Sequence, residues 1–275
     1  MKPFLKWVGG KRQLLPDIEP RIPASFQRYV EPFVGGGAVF FHLQPATGWI
    51  NDLNPELVNC YQVVRDDVEA LIAHLQQHIY DKDYYLEQRS LDRGAGGLSA
   101  LSELARASRF IYLNRTGFNG MYRVNAKGQF NVPFGRYKNP KIVDAPGLRA
   151  CSAALQSVKI TNLSYADVLA ECGAGDFVYL DPPYVPLTQT ANFTQYADGG
   201  FDEAAQRDLA ASLHHLNQRK IPFLASNAYA PLVLEIYEGL NIDIVHAKRA
   251  INSDATKRAA VREVLISNRK SPAGL

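Results

Sequence analysis

Cysteine is scarce in this chain of 275 residues: Cys60, Cys151 and Cys172 stand far apart and form no C-x-x-C pair. Such spacing argues against a disulfide framework or a thiolate zinc site and leaves free thiols, as in a reducing cytoplasm. Histidine is sparse too, with six residues and one adjacent pair, His214-His215, inside a helical pattern. No metal is therefore expected. No stretch approaches about 18 continuous apolar residues, and the opening MKPFLKWVGGKR lacks the apolar centre of a signal peptide. The expectation is a cytoplasmic protein, neither secreted nor membrane-spanning. Two phosphate-binding signatures are also missing. Lys11 follows two glycines without the G-x-x-x-x-G-K-[ST] spacing of a P-loop, and the absence of G-x-G-x-x-G argues against a dinucleotide oxidoreductase.

What is present is an ordinary globular balance, with 47% hydrophobic and 21% charged residues and a net charge of +3. So small an excess permits a polyanionic partner without demanding one, and the clustering of cations matters more than their sum. The length suits one large domain or one domain with a sizeable insertion. Strand-like YVEPF, a glycine cluster and helix-like VFFHL run from Tyr29, and a second strand, GWIND, ends in Asp52. Helical spacing covers 54–79, with Asn54-Pro55 as cap and first turn, and again 98–113 after the turn GAGG. Beyond Pro146 strands and helices alternate: helix 147–155, strands 158–162 and 176–181, helix 202–219, strand 221–227, helix 231–237. That alternation predicts a mostly parallel sheet covered on both faces. The last two strands, IDIVHA and AVREVLISN, flank a segment too polar for a buried crossover, which predicts an antiparallel hairpin at the sheet edge.

Three motifs carry chemistry. The first, Glu31-Pro32-Phe33-Val34-Gly35-Gly36-Gly37-Ala38, joins a strand to a helix. Its glycines serve either a tight turn or the close approach of a zwitterionic cofactor to helix amides. The second, Asp52, is either a helix-entry residue or an acceptor for ribose hydroxyls at a strand end. The third, Asp181-Pro182-Pro183-Tyr184, follows the apolar strand FVYL. Its prolines fix φ and remove amide donors, so a carboxylate and a rigid carbonyl can grip the two N–H bonds of a planar amine. Between 114 and 146, Arg115, Arg123, Lys127, Arg136, Lys138 and Lys141 interleave with Phe118, Tyr122, Phe130, Phe134 and Tyr137. A hairpin with Lys127-Gly128 near its tip would suit a DNA groove, with Arg123 toward a guanine edge and its neighbours toward phosphates.

In their order, Trp7-Val8-Gly9-Gly10-Lys11, the Glu31 glycine loop, Asn51-Asp52 and Asp181-Pro182-Pro183-Tyr184 resemble the Dam-type, D12-class DNA adenine-N6 methyltransferases. The likeness extends through Asn114-Arg115-x-Gly-Phe118-Asn119-Gly120, Phe130 to Tyr137, and Thr190 to Tyr196, nearly the whole chain. It implies an α/β fold: a Rossmann-like AdoMet-dependent methyltransferase sheet of seven strands with a helical and β-hairpin recognition insertion. Residues 1–55 and 146–275 would form the catalytic domain and 56–145 the target-recognition domain. It implies S-adenosylmethionine as methyl donor, with S-adenosylhomocysteine as product, and Trp7, Lys11, Phe33, Gly35, Gly37, Asp52, Asp167 and Asp181 as its binding residues. Asp181, Pro182 and Tyr184 become catalytic.

The partner implied is double-stranded DNA containing GATC, bound by a monomer. Lys6, Met121, Arg123, Pro133 and Tyr137 would read bases, Phe118 and Asn119 would fill the space of the displaced pair, and Arg115 and Arg136 would meet phosphates. Met121 and Phe118 replace the Leu and Tyr common in the family. Residues 185–200 are expected to act as a lid over an extruded adenine. Two rivals share parts of the pattern. An N4-cytosine or RNA amine methyltransferase needs the same acceptor pair, and a DNA-binding protein without catalysis would need only the insertion.

Overall fold

The computed structural model describes residues 1–185, 201–248 and 260–270. Seven strands form one sheet in the order β3-β2-β1-β4-β5-β7-β6. They are β1 (Arg28–Glu31), β2 (Gly48–Asn51), β3 (Val158–Thr161), β4 (Asp176–Leu180), β5 (Phe223–Ala228), β6 (Asn241–Lys248) and β7 (Ala260–Ser267). Strands β2, β1, β4 and β5 run parallel, with Val30 opposite Trp49 and Val178, and Leu180 opposite Ala225. The last pair is antiparallel, as expected, and β7 inserts between β5 and β6 with Ile244 opposite Val264. Every residue of β4 and of β5 is buried. That is why Phe177 to Leu180 and Phe223 to Ala225 read as apolar runs: central strands of a parallel sheet are covered on both faces.

The helices are α1 (Leu15–Ile18), α2 (Ala38–Leu43), α3 (Pro55–Asp66), α4 (Val68–Leu75), α5 (Lys82–Ser90), α6 (Glu103–Thr116), α7 (Ala145–Leu155), α8 (Tyr165–Ala170), α9 (Glu203–Gln218) and α10 (Pro231–Ile236). The chain divides into two compact units. One comprises 11–33, 45–51 and 163–275. Its core joins Val30, Trp49, Val178, Leu180 and Phe223 to Leu209, Leu213 and Leu216 of α9, which recur at helical spacing on one buried face. Each such side chain contributes roughly 1.5–3 kcal/mol on full burial.

The other unit comprises 1–10, 34–44 and 52–162. Here α6 packs on α3 and α4. A second aromatic cluster of Tyr85, Tyr112, Leu113, Phe130 and Val132 supports the segment that follows α6, with Met121 and Tyr122 against it.

Several local expectations change. The helix expected over 54–79 breaks at Asp67, whose φ of −145° and ψ of 50° are not helical. Adjacent carboxylates at a helix C-terminus oppose its dipole, and Asp caps better than it propagates. Helix α6 starts at Glu103, not near Leu98, because the Ser102 side chain accepts from the Ala105 amide as its cap. Helix α5 is an addition to the expected elements; Asp81 caps it through the Asp83 and Tyr84 amides. The hairpin is reduced to two isolated bridges, Val124–Phe130 and Gly117–Phe134. Its tip does turn near Lys127-Gly128, where Gly128 has φ +73° and Asn125 Oδ1 accepts from the Lys127 and Gln129 amides.

Candidate active site

Strand order reverses between β1 and β4, the switch point at which open α/β sheets bind ligands beyond their carboxyl ends. Asp181 and its prolines follow β4 directly. Its Oδ1 meets Lys11 Nζ at 2.8 Å and accepts from Ser226 Oγ at 2.9 Å. Oδ2 makes no hydrogen bond among the described residues. Burial pushes the Asp181 carboxyl above its usual range, and the Lys11 charge, the Lys11 hydrogen bond and Ser226 pull against that rise.

Lys11 is itself buried and lies 4.5 Å from the centroid of the Tyr184 ring. Tyr184 Oη donates to Glu263 at 2.7 Å, so the ring is held at its tip as well as over one face. The Pro183 carbonyl accepts from Gln206 Nε2 at 2.7 Å. Pro182 is buried, and its carbonyl takes no hydrogen bond among the described residues. In the same unit Phe33 stacks on Tyr165 at 5.3 Å. Asp167 is exposed in the first turn of α8, where it accepts from Ser164 Oγ at 2.6 Å while its own amide donates back. This is a reciprocal helix cap.

The other unit holds Trp7, the glycine loop and Asp52. Asp52 Oδ2 accepts from the Gly35 amide and Oδ1 from the Asn54 amide, both at 3.0 Å. Burial outweighs these amide bonds and raises its carboxyl. The glycines answer to protein packing. A Cβ on Gly35 would lie 2.8 Å from the Trp7 indole, and one on Gly37, where φ is +68°, 2.7 Å from Tyr61 Oη. Trp7 also stacks with Tyr122 at 5.9 Å and Phe110 at 6.4 Å.

In this unit too, the Asn114 side chain accepts from the Lys6 amide at 2.9 Å and donates to the Lys6 and Gly120 carbonyls at 2.8 Å. Lys6 Nζ lies 4.4 Å over the Tyr137 ring, and Tyr137 Oη donates to the Gly117 carbonyl. Phe118 is 49% exposed beside Asn119, whose backbone is left-handed at φ +55°. Arg123 is exposed and donates through Nε to Asn131 Oδ1 at 2.6 Å and through Nη2 to the Asn131 carbonyl at 3.2 Å. Pro133 and Arg136 are exposed. Met121 differs: its side chain packs against the aromatic cluster.

Arg115 is half-buried: its guanidinium donates to the Phe4 carbonyl at 2.7 Å, and burial lowers its pKa. The contact ties the N-terminal segment to α6. Of the expected lid, 185–200, residues 186–200 lie outside the described residues. Ser226, Glu263 and Gln206 do not stand out as site residues in the sequence, because a polar residue in a strand or helix usually marks a solvated position; Asn131 lies in a polar connecting segment, where an asparagine is ordinary. Among the described residues, no cluster of three or more His, Cys, Asp or Glu could hold a metal, and no helix is long and apolar enough to cross a membrane.

The sequence profile of the D12 class N6 adenine-specific DNA methyltransferases matches residues 7–251. A type II methyltransferase, M1.LlaDCHI of Lactococcus lactis subsp. cremoris, is 43% identical over 98% of this chain and 95% of its own. Another, M.MjaIII of Methanocaldococcus jannaschii, is 41% identical over 98% and 99%. The DNA adenine methylase of Escherichia coli strain K12 is 36% identical over 95% and 93%. With Asp-Pro-Pro-Tyr directly after β4 at the switch point and a match over most of its length, this chain belongs to the D12 class of N6 adenine-specific DNA methyltransferases.

Proposed function

We propose that the enzyme methylates adenine in the duplex site GATC, and that Asp181 Oδ2 and the Pro182 carbonyl grip the amine. The observation that supports this reading is the uneven use of the Asp181 carboxylate: Lys11 and Ser226 both engage Oδ1. Among the described residues the other oxygen accepts no hydrogen bond, which leaves its lone pairs for N–H donors. An adenine amine is a poor nucleophile because its lone pair is delocalised into the ring. Two acceptors on its N–H bonds favour a pyramidal nitrogen and stabilise the positive charge that develops there. The Tyr184 ring adds a stacking surface worth about 1–3 kcal/mol per base. Extruding the base costs a few kcal/mol.

AdoMet dependence is general for this class, and the cofactor supplies an electrophilic methyl on a sulfonium. Trp7, Lys11, Phe33, Gly35, Gly37, Asp52, Asp167 and Asp181 are our candidates to hold it. Asp52 fits this role: each carboxylate oxygen accepts one amide and keeps a lone pair for a ribose hydroxyl. Asp167 already serves a cap, so its carboxylate would accept a second donor beside Ser164.

For the site itself, Lys6, together with Met121, Arg123, Pro133 and Tyr137 of a recognition region of 56–145, would read bases, Phe118 and Asn119 would occupy the vacated space, and Arg115 and Arg136 would meet phosphate. The protein would act as a monomer. Arg123 supports this assignment, because Asn131 holds its guanidinium in one orientation and a bidentate contact to guanine needs that. The test is incubation with labelled AdoMet and a randomised duplex library, followed by mapping of the modified bases. The expected label sits on adenine within GATC. Label on adenine in another site would overturn the sequence assignment.

A further inference from the structure

Two buried amides hold the Asp-Pro-Pro-Tyr segment from behind. Gln206, on α9, is 1% exposed, and Asn227, near the end of β5, is fully buried. Gln206 Nε2 donates to the Pro183 carbonyl at 2.7 Å, and Asn227 Oδ1 accepts from the Val185 amide at 3.2 Å and from the Ala228 amide at 2.8 Å. Between them, Asn227 Nδ2 donates to Gln206 Oε1 at 3.1 Å. A chain of hydrogen bonds thus runs from the carbonyl before Tyr184 to the amide after it.

The backbone dictates the polarity of that chain. The Pro183 carbonyl can only accept and the Val185 amide can only donate, so each side-chain amide has one orientation that satisfies every contact. Pro182 and Pro183 carry no N–H, which leaves the segment unable to take ladder bonds that would hold it otherwise. A carboxylate at either position would bring two acceptors face to face inside the core, where an unsatisfied polar group is costly.

We infer that Gln206 and Asn227 are positioning residues for methyl transfer: their amide chain sets the main-chain course of 181–185 and so the aim of the Pro182 carbonyl and the Tyr184 ring. The inference rests on the reading of this segment as the amine-gripping loop. Neither residue touches the reacting atoms, so both act on kcat and not on the binding of cofactor or DNA.

Gln206→Glu tests this in the full-length protein with unmethylated duplex DNA and AdoMet. At pH 8 its kcat is expected to fall at least tenfold, with KM for AdoMet within threefold of the parent. A protonated carboxyl at position 206 is chemically able to donate to the Pro183 carbonyl and accept from Asn227. The variant-to-parent ratio of kcat is therefore expected to climb at least threefold from pH 8 to pH 5.5. Taking the ratio removes the titration of Lys11, Asp181, Tyr184 and Glu263, the ionisable groups at this corner, to the extent that both proteins share it. Gln206→Met, of similar size and without either hydrogen bond, should lose kcat equally and show a flat ratio. It also decides the matter if the Glu variant does not fold. A kcat within twofold of the parent for the Met variant, or a flat ratio for a folded Glu variant, overturns the inference. Asp181→Ala separates the two ideas: if it is inactive while the Gln206 variants match the parent, only the positioning role falls.

Discussion

Ser226 Oγ donates to the same Asp181 oxygen that Lys11 neutralises, at 2.9 Å and 2.8 Å respectively. The pair of contacts does two jobs. It turns the carboxylate so that one oxygen faces its protein partners, and it offsets the rise in pKa that burial imposes.

Lys11→Met should therefore shift the acidic limb of the kcat–pH profile upward. Asp181 must be ionised to accept from the amine, burial raises its pKa, and Lys11 is the largest opposing influence. Without that cation the carboxylate protonates at higher pH, so activity falls away earlier as pH drops. Leaving a buried charge unpaired also costs about 3 kcal/mol of stability, readable in a thermal melt. An unmoved acidic limb in a folded variant would remove Lys11 from this role.

Arg123→Ala should lose about 1–3 kcal/mol of discrimination at one guanine. Asn131→Ala should lose less at the same base pair, because the guanidinium survives but is no longer held by the Asn131 side chain. Competition among duplexes substituted at each position measures both. A uniform loss across all sites would make Arg123 a phosphate contact.

His78 gives the stability of its unit a pH dependence. Its ring nitrogens face Tyr84 Oη at 2.8 Å and Ser108 Oγ at 3.0 Å, and it stacks on Tyr112 at 4.5 Å. Burial, helped by the neighbouring His74, lowers its pKa from 6.5 to about 4. The unfolded chain takes up a proton near 6.5 while the fold resists until about 4. Stability is thus full above pH 6.5 and falls as pH drops through that window, by up to about 3 kcal/mol. Urea denaturation of the parent and of His78→Phe between pH 7.5 and 4.5 compares the two slopes. The variant should show the shallower slope; equal slopes would remove His78 as the source of the pH dependence.

The sheet is legible in the sequence because its central strands are buried on both faces and so appear as apolar runs, Phe177 to Leu180 and Phe223 to Ala225. The acidic residues that follow β2 and β4, Asp52 and Asp181, can be found because carboxylates directly after apolar strands are conspicuous. What supports them cannot. Ser226 and Asn227 sit inside β5, where polarity suggests a solvated face, yet neither is exposed. Arg115 counts among the clustered cations, but the depth of α6 decides its environment, and depth is a tertiary property. The hairpin is less regular than its sequence suggests for a related reason. Its segment is pinned by side chains such as Tyr85, whose hydroxyl donates to the Val132 carbonyl, and not by a continuous strand ladder.

Single-turnover methyl transfer by Asp181→Ala, at saturating AdoMet and duplex DNA, tests the acceptor role most directly. The chemical step should slow by roughly 10²–10³-fold, the loss typical of removing one preorganised stabilising group, while the Kd for DNA stays near the parent's. A rate within about tenfold of the parent under the same occupancy would show that the carboxylate does not grip the amine.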